Sequence, residues 1–582
     1  MSGYDVVVIG SGLGGSSAAA HLSAVGKRVL LLERYSVLGG SSHVFRRQGK
    51  WEWDCGVHYI GDCGPEGQTP TLMRGLGLDD HIKWLPLDPG GFDILRGPDL
   101  ELRVPADWAG YEANLVAAFP EDAKGLRRMV SVLRALAEPW DRDLTPSTAG
   151  AQLRWLAKTG SAAAFAALPV ISLFLACNLK PRTILALSPY CGLLGSSPLS
   201  ATTAFYAVLM HNYIGSGAYY PRGGGQALSA AFAEVTTSHG GEIRRNANVE
   251  QILIKDNRVR GVRLADGEVI STPAVVSAGD VIKTFRDLVG TEHVPWHYRA
   301  RVSRLKMGLP FINAYFGIER DMSSEPNCNY FAFPTWEDTT SLAKLASAQH
   351  ALLTGSGFSS GEDWARAVAT RLPMFVQSST RRDPNNTASA PPGHATVEVQ
   401  AIVPHRPDLW GVQGYDIDGH AYRNDKTYNN VKSLLLDGMS QRMEMAFPGS
   451  SSDIKLVELG TPATQERFVG NTNGAPFGLD SSPTQTGALR PGATTPIRGL
   501  YLAGTNTAWG PATEGAMLSG RQAASAIIGV DLSAEVRNGA VLADRTKLSA
   551  WPDDFDPLRH ASNGVDRIPA NERPSTMPAP RP

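Results

Sequence analysis

The stretch VVVIGSGLGGSSAAAHL, residues 6–22, constrains this chain more than any other. Val6, Val7, Val8 and Ile9 are apolar, mostly β-branched and bounded by glycine, the pattern of a parallel strand buried on both faces. Small, helix-tolerant residues follow from Ser16 to Gly26, and Arg28 to Glu33 is a second apolar run that ends in an acid. This βαβ outline puts Gly10, Gly12 and Gly15 at the turn from strand to helix. Gly10 permits the tight turn, Gly12 lets backbone approach a pyrophosphate, and Gly15 lets helix pack closely on strand. The helix N-terminus offers N–H groups to the anion, and Glu33 is placed to accept from ribose hydroxyls. An ordinary glycine-rich turn is the bland alternative, and strand, helix and terminal acid in register weigh against it.

A chain of 582 residues, 42% of them hydrophobic, is too long for one ordinary domain, and two intertwined domains are expected. A net charge of −1 gives no electrostatic case for nucleic acid. Cys55, Cys63, Cys177, Cys191 and Cys328 are widely spaced and contain no CxxC, so neither a zinc site nor a disulfide framework is expected. No metal-spaced histidine cluster or Ser-His-Asp signature stands out. A cytoplasmic location is expected from the cysteine usage and from the absence of a charged, apolar leader before Tyr4.

Further along, GKWEWDCGVHYIG alternates Trp51 and Trp53 and then turns at Gly56, and residues 65–150 mix amphipathic pieces with turn chemistry. Residues 161–177, SAAAFAALPVISLFLAC, carry no charge and are interrupted by Pro169. That is marginal for a bilayer span; a buried helix or an interfacial segment is expected, with Arg154, Lys158, Lys180 and Arg182 flanking it. Peripheral contact with the inner face of a membrane is therefore a further expectation. After Pro221, a glycine triplet starts a helix with Ala227, Leu228, Ala231 and Phe232 on its face. Three β-rich runs, Val249 to Ile254, Arg258 to Leu264 and Glu268 to Ser277, read as a meander that returns to the first sheet at Val275 and Val276. Near the end, Leu500 to Leu502 form a short strand and Glu514 to Ile528 a helix. From Trp551 onward turn residues accumulate, and a disordered, proline-rich tail is expected.

A second glycine doublet, Leu38-Gly39-Gly40-Ser41-Ser42, sits just past Glu33. This resembles the extended fingerprint of FAD-binding amine oxidase and phytoene desaturase type proteins. The opening fingerprint, YYPRGGGQAL, the meander, SSTRRDPNNTASAPPGH from Ser378, and GLYLAGTNTAWGPATEGAMLSGRQAASAI from Gly499 together resemble the phytoene desaturase, carotenoid isomerase and retinol saturase group. The resemblance implies an α/β fold: a Rossmann-type FAD-binding domain at 1–65, 216–295 and 461–532, interleaved with a mixed α+β substrate domain at 66–215 and 296–460. An extension at 533–582, partly disordered, completes the chain. It also implies FAD held by Gly10, Gly12, Gly14, Gly15, Glu33, Arg34, Gly39, Gly40, Ser41, Val249, Gly504, Thr513, Glu514, Gly515 and Ala516. Of these, Gly504 would lie against the phosphate and ribityl region, Val249 at the adenine, and Thr513 to Ala516 near the isoalloxazine.

The implied reaction adds or removes hydrogen across carbon-carbon bonds of an apolar, isoprenoid substrate by hydride exchange at flavin N5. The alternatives are a flavin-dependent cis-trans isomerase, an amine oxidase with a polar, aromatic-lined pocket, and a non-catalytic prenyl-lipid binder like the Rab GDP dissociation inhibitors. His58, His211 and Tyr219 are the polar residues to inspect as proton-transfer candidates, together with Tyr220 and Arg222, and a satisfied structural role is the commoner fate of each type. Asp54 and Gly56 are expected to shape the loop beside the flavin ring. Direction of electron flow and the electron donor or acceptor are not legible in the residues.

Overall fold

The computed structural model describes residues 3–139, 149–412 and 421–562. Val6–Ile9 is the middle strand of a five-stranded sheet whose order is Glu242–Arg244, Val29–Leu32, Val6–Ile9, Val275–Ser277 and Leu500–Leu502, with every neighbouring pair parallel. The chain winds first to one side of the central strand and then to the other. The crevice at the carboxyl ends of the strands is therefore the topological switch point, where ligands bind in sheets of this type. Helix Leu13–Ala24 lies against helix Ala512–Ile528, and both close over the sheet. Contact at this depth needs glycine, since a Cβ on Gly520 would fall 2.3 Å from the Gly14 carbonyl oxygen.

The meander forms as expected from Val249–Lys255, Arg258–Leu264 and Val269–Ser271. Asp256 and Asn257 both take left-handed backbone, the geometry of a two-residue hairpin turn. The third run is two strands rather than one. It breaks before Val275, at Pro273, which has no N–H to continue a ladder, and the chain then passes into the parallel sheet.

A second, seven-stranded sheet runs Ile454–Gly460, Phe311–Ile318, Ala395–Ile402, Met374–Gln377, Asn329–Ala332, Asp93–Gly97 and Leu100–Val104. Its pairs are antiparallel except for the parallel pair Asn329–Ala332 with Asp93–Gly97. Helix Lys426–Ala446 packs on one face through Val431, Leu435, Met439 and Met443, and the other face looks toward the switch point of the first sheet. Helices between Trp108 and Ile214 form a cap beside this sheet.

Residues 161–177 belong to this cap. They form short helical turns, with Pro169 ending one piece before helix Val170–Ala176. Val170, Leu173 and Phe174 are fully buried, Phe174 edge-on to Tyr206, whereas Leu168 and Leu175 are each 44% exposed. Among the described residues no helix is long and apolar enough to cross a membrane.

The C-terminal extension is folded as far as it is described. Residues 551–562 pack onto the body of the protein: the Trp551 ring lies edge-on to His81 with centroids 5.1 Å apart, Leu558 is buried with Val37 and Val44, and Asp556 pairs with Arg46 at 2.8 Å. These anchors lie some five hundred residues away in sequence, so local composition did not show them. The remainder of the expected tail, 563–582, lies outside the described residues.

Candidate active site

Each strand of the parallel sheet's centre ends in a turn that faces one cavity. Ile9 leads to Gly10 and Gly12, Leu32 to Glu33 and Arg34, Ser277 to Ala278 and Gly279, and the strand ending at Leu502 to Gly504. Gly39, Gly40 and Ser41 of the second doublet, Val249, and Thr513, Glu514 and Ala516 complete this end.

The glycines divide by what a Cβ would meet. At Gly15 it would fall 2.0 Å from the Gly10 carbonyl oxygen, and at Gly14 it would fall 2.5 Å from the Gly504 nitrogen. These two glycines serve close packing, and Gly15 does not line the cavity. A Cβ on Gly12 would meet nothing within 4 Å. Gly12 caps helix Leu13–Ala24 and borders the cavity, so its bare backbone leaves free the space where a helix N-terminus holds a phosphate. Gly40, with φ +54°, brings the second doublet against Gly12.

Glu33 is 8% exposed and lines the cavity. Its Oε2 accepts from the Ser11 N–H at 2.8 Å and from Ser11 Oγ at 2.7 Å, while Oε1 accepts from the Tyr35 N–H at 2.8 Å. Ser11 Oγ in turn accepts from the Gly39 N–H at 3.1 Å. The acid thus braces both glycine turns and keeps acceptor capacity on Oε1. Arg34 donates to the Arg467 carbonyl oxygen at the same end. Opposite, helix Ala512–Ile528 opens on Ala512 with φ +78°, a strained backbone for a residue with a side chain, and the next turn presents Thr513 and Glu514 to the cavity. Burial pushes the Glu514 carboxyl up to about 7. Gly515 is packed under the Trp509 and Gly510 carbonyls and does not reach the cavity.

The other end of the cavity is different in kind. Val57, Leu193, Leu209, Phe311, Phe375 and Phe477 supply apolar walls, with Tyr59 and Tyr213 among them and Gly56 at the junction. Three polar side chains interrupt these walls: His58, Asn313 and Gln400. Of the proton-transfer candidates, only His58 reaches the cavity. His211 accepts from Trp108 Nε1 at 3.2 Å in the helical cap, Tyr219 is half-buried on strand Ala218–Pro221, and Arg222 reaches Asp553 at the surface.

Behind the apolar wall lies a buried polar cluster, two residues further along the strands of the seven-stranded sheet. Asn313, Gln400 and Phe375 pair across three strands as one row, and Tyr315, Glu398 and Gln377 form the next. His58 Nδ1 meets Gln377 Nε2 at 3.1 Å, and its Nε2 meets the Gln400 amide. Gln377 Nε2 also donates to Glu398, and its carbonyl oxygen accepts from Arg382, which donates as well to Asn329. Asp54 accepts from the Tyr220 hydroxyl and from the Gly225 N–H at 2.8 Å. Ser379 Oγ lies 3.2 Å from Asp54 Oδ2 and 3.1 Å from Glu398 Oε1.

One hydroxyl hydrogen cannot serve two carboxylates, so the bridge is complete only when one of the two acids carries a proton. Burial, reinforced by the Asp54 charge, pushes Glu398 up to about 8, which assigns the proton to it at neutral pH. Burial and the Arg382 charge hold His58 down at about 3, so the imidazole is neutral. The sequence points to His58 and Tyr220 as polar candidates and to Asp54 only beside the flavin ring, whereas Asp54 lies in this cluster and does not line the cavity; Ser379, Arg382, Glu398, Gln400 and Asn313 are not singled out by it. A readable trace existed: Thr396, Glu398 and Gln400 alternate with Ala395, Val397, Val399 and Ala401, polar residues at period two in a strand buried throughout except at its end.

The model of the flavin-containing amine oxidoreductase family matches residues 13–320 and 464–528. The chain belongs to this family. Its cofactor is FAD, and the seat just described fits that group: bare backbone at Gly12, a helix N-terminus behind it, an acid at the end of the second strand, and a second helix N-terminus across the cavity. The family member is thus an FAD-dependent oxidoreductase. It is 28% identical to the phytoene desaturase (lycopene-forming) of Pseudescherichia vulneris, over 90% of this chain and 98% of that one. It is 25% identical to the all-trans-retinol 13,14-reductase of Danio rerio, over 86% and 82% of the two chains. With prolycopene isomerase 1 of an Oncidium hybrid cultivar it shares 26% identity over 94% and 87%. The cyclohexylamine oxidase of Brevibacterium oxydans has the same fold, with a TM-score of 0.55, 17% identity and coverage of 90% and 99%.

Proposed function

We propose that this enzyme adds or removes hydrogen across a carbon-carbon bond of an apolar isoprenoid. The observation that carries the reading is the two-part cavity, glycine backbone and Glu33 at one end and a wall of Val57, Leu193, Leu209, Phe311, Phe375 and Phe477 at the other. Desaturase, reductase and isomerase relatives that cover most of the chain support it. In this reading the Gly12 and Gly40 backbones flank the FAD pyrophosphate, Glu33 and Arg34 the ribose, Val249 the adenine, Gly504 the ribityl region, and Thr513, Glu514 and Ala516 the flavin edge. Bound FAD supplies hydride exchange with substrate carbon. The protein's own residues do the rest: the apolar walls align the chain of the substrate and exclude water, and His58, held neutral, acts as a hydrogen-bonding partner. Glu398 holds a proton behind the wall.

An amine substrate is disfavoured because its ammonium charge would be desolvated against the apolar walls. The test is anaerobic incubation of the FAD-loaded enzyme with carotenoids, retinoids, fatty acids and amines in separate arms. Flavin absorbance and product mass are followed, starting from oxidised and from reduced flavin. Redox exchange with an isoprenoid is expected; exchange with amines alone refutes the proposal.

The same reading includes delivery of substrate from an anionic lipid surface. Leu153, Leu168, Leu175 and Leu199 are 67%, 44%, 44% and 57% exposed on the helical cap, near the bases Arg154, Lys158 and Lys180. Backbone bonds tie these segments together, from Thr203 N–H to Leu168 at 2.8 Å and from Ile171 N–H to Pro198 at 3.1 Å. Leu193 and Leu209 of the same cap line the cavity. Exposed leucines beside bases are the composition of an interfacial surface.

A further inference from the structure

The second glycine turn belongs to no strand. Residues 35–43 pass between strands Val29–Leu32 and Val44–Arg47 as a loop with one short helical turn, Gly40–Ser42, and Val37, Gly39, Gly40 and His43 line the cofactor end of the cavity. A single bridge, from Gly39 to Gly12, ties the loop to the first glycine turn. A loop without a ladder keeps its shape only through what its surroundings offer its backbone and side chains.

Much of that support comes from the other end of the chain. The Leu38 N–H donates to the Ala561 carbonyl oxygen at 3.4 Å, and the Leu38 carbonyl oxygen accepts from Gln226 Nε2 at 2.9 Å. Leu38 packs with Ala561 and Ala233, and Val37 and Val44 pack with Leu558. Leu558 and Ala561 belong to helix Pro557–Ser562. Asp556 starts this helix, accepting from the Leu558 N–H at 3.1 Å and the Arg559 N–H at 3.3 Å. The same carboxylate takes two bonds from Arg46, each at 2.8 Å, in a fork largely shielded from water. Arg245 adds a bond to the Ala561 carbonyl oxygen at 3.1 Å, and Glu234 accepts from the Ser549 N–H at 2.9 Å. The C-terminal segment thus covers the outer side of a loop whose inner side borders the cavity. It lies beyond residue 528, where the match to the family model ends.

We propose that Asp556, Leu558 and Ala561 are positioning residues for FAD: residues 551–562 form a clasp that holds the second glycine turn in the shape that receives the pyrophosphate. This rests on the seat described above, with Gly12 and Gly40 flanking that group. With the clasp in place the loop is ordered before FAD arrives. Without it, part of the binding free energy goes into ordering the loop, and affinity falls. The coupling runs both ways by thermodynamic necessity. If release of the clasp weakens FAD by some factor, bound FAD makes release rarer by the same factor.

The test uses the full chain with FAD and the same protein after the flavin has been removed. FAD affinity is read by fluorescence titration. Amide hydrogen exchange follows residues 556–562 with and without FAD, with helix Lys426–Ala446 on the far face of the seven-stranded sheet as reference. Ending the chain after residue 550 is expected to weaken FAD by about tenfold or more, within the usual range of coupling between two sites. Leu558→Ala is expected to show part of that loss and Leu558→Met to stay close to the parent. FAD is expected to slow exchange in 556–562 more than in the reference helix. Parent affinity in the folded, shortened protein, or exchange in 556–562 that FAD slows no more than the reference, overturns the clasp's role and leaves the seat intact. If neither the shortened nor the substituted proteins fold, the exchange measurement on the parent decides alone. Normal FAD binding by Gly12→Val overturns the seat and this proposal with it.

Discussion

Gly12 and Gly15 stand three residues apart in one turn, and replacing them should cause failures of opposite kinds. A side chain at Gly12 meets no protein atom within 4 Å, and its backbone, at φ −54° and ψ 161°, admits any residue. Gly12→Val should leave the flavin-free fold within about 0.5 kcal/mol of the parent. Its branched side chain fills the space proposed for the pyrophosphate, so FAD should not bind. At a free FAD concentration a thousand times Kd, the parent gains about 4 kcal/mol from its ligand, and the variant should lose that whole increment.

At Gly15 the added carbon would sit 2.0 Å from the Gly10 carbonyl oxygen and 2.9 Å from the Ala278 Cβ, so helix and strand must part. Overpacking of this kind costs about 1–3 kcal/mol, offset by about 1 kcal/mol of better helix propensity. Gly15→Ala should therefore be destabilised with or without FAD. Denaturant unfolding of both variants, each with and without FAD, together with flavin absorbance of the purified proteins, separates the two cases. A Gly12→Val protein that purifies yellow at full occupancy, or one as unstable as Gly15→Ala without FAD, refutes the assignment.

Glu398 sits at about 8 in the folded protein, above the ordinary carboxylate value near 4.5. The folded state therefore holds a proton that the unfolded chain has released between these values. This group's contribution is full below about pH 4.5 and is lost as pH rises toward 8. Glu398→Gln should flatten that part of the stability profile, which denaturant titrations from pH 5 to 9 will show; an unchanged slope refutes it. His211→Phe and Tyr219→Phe, both outside the cavity, should leave single-turnover flavin reduction unchanged, and His58→Ala should stay within about tenfold. A loss of about 1,000-fold in a folded, FAD-loaded His58→Ala would make His58 the acid or base. Vesicle flotation should show binding to anionic lipid that the pair Leu175→Asp and Leu199→Asp removes without loss of FAD, and absence from every lipid fraction refutes that surface. Ending the chain after residue 550 should lower the melting temperature by uncovering Val37 and Val44; melting equal to that of the full chain counts against the clasp.

The glycine-lined end of the cavity was legible because backbone geometry there dictates residue type. Gly10, Gly15, Gly39 and Gly40 are glycine for steric reasons, by positive φ or close packing, that leave a pattern in the sequence, and Glu33 ends its strand in register with them. The substrate end was not, because its wall is assembled by strand pairing between distant segments. Asn313, Phe375 and Gln400 become one surface only once their strands align, and each is an unremarkable residue in its own run. The apolar tract 161–177 was visible as a tract, yet its division between buried Phe174 and exposed Leu175 depends on what packs above it. The seating of residues 551–562 is not legible for the same reason, since their partners Val37, Val44 and Arg46 lie at the opposite end of the chain.

The parallel sheet takes one strand from residues 6–9 and another from 500–502, and Gly14 touches Gly504. On the ribosome, at about 5–20 residues per second, roughly half a minute to a minute and a half separates synthesis of these two contacts. Through that interval the nascent chain has its first glycine turn but no far wall, and the apolar strands of an open sheet edge remain unpaired. FAD cannot be retained early to organise folding from the N-terminus, because half of its seat has yet to be made. Yield in a heterologous host should therefore respond more to chaperone supply during elongation than to added riboflavin.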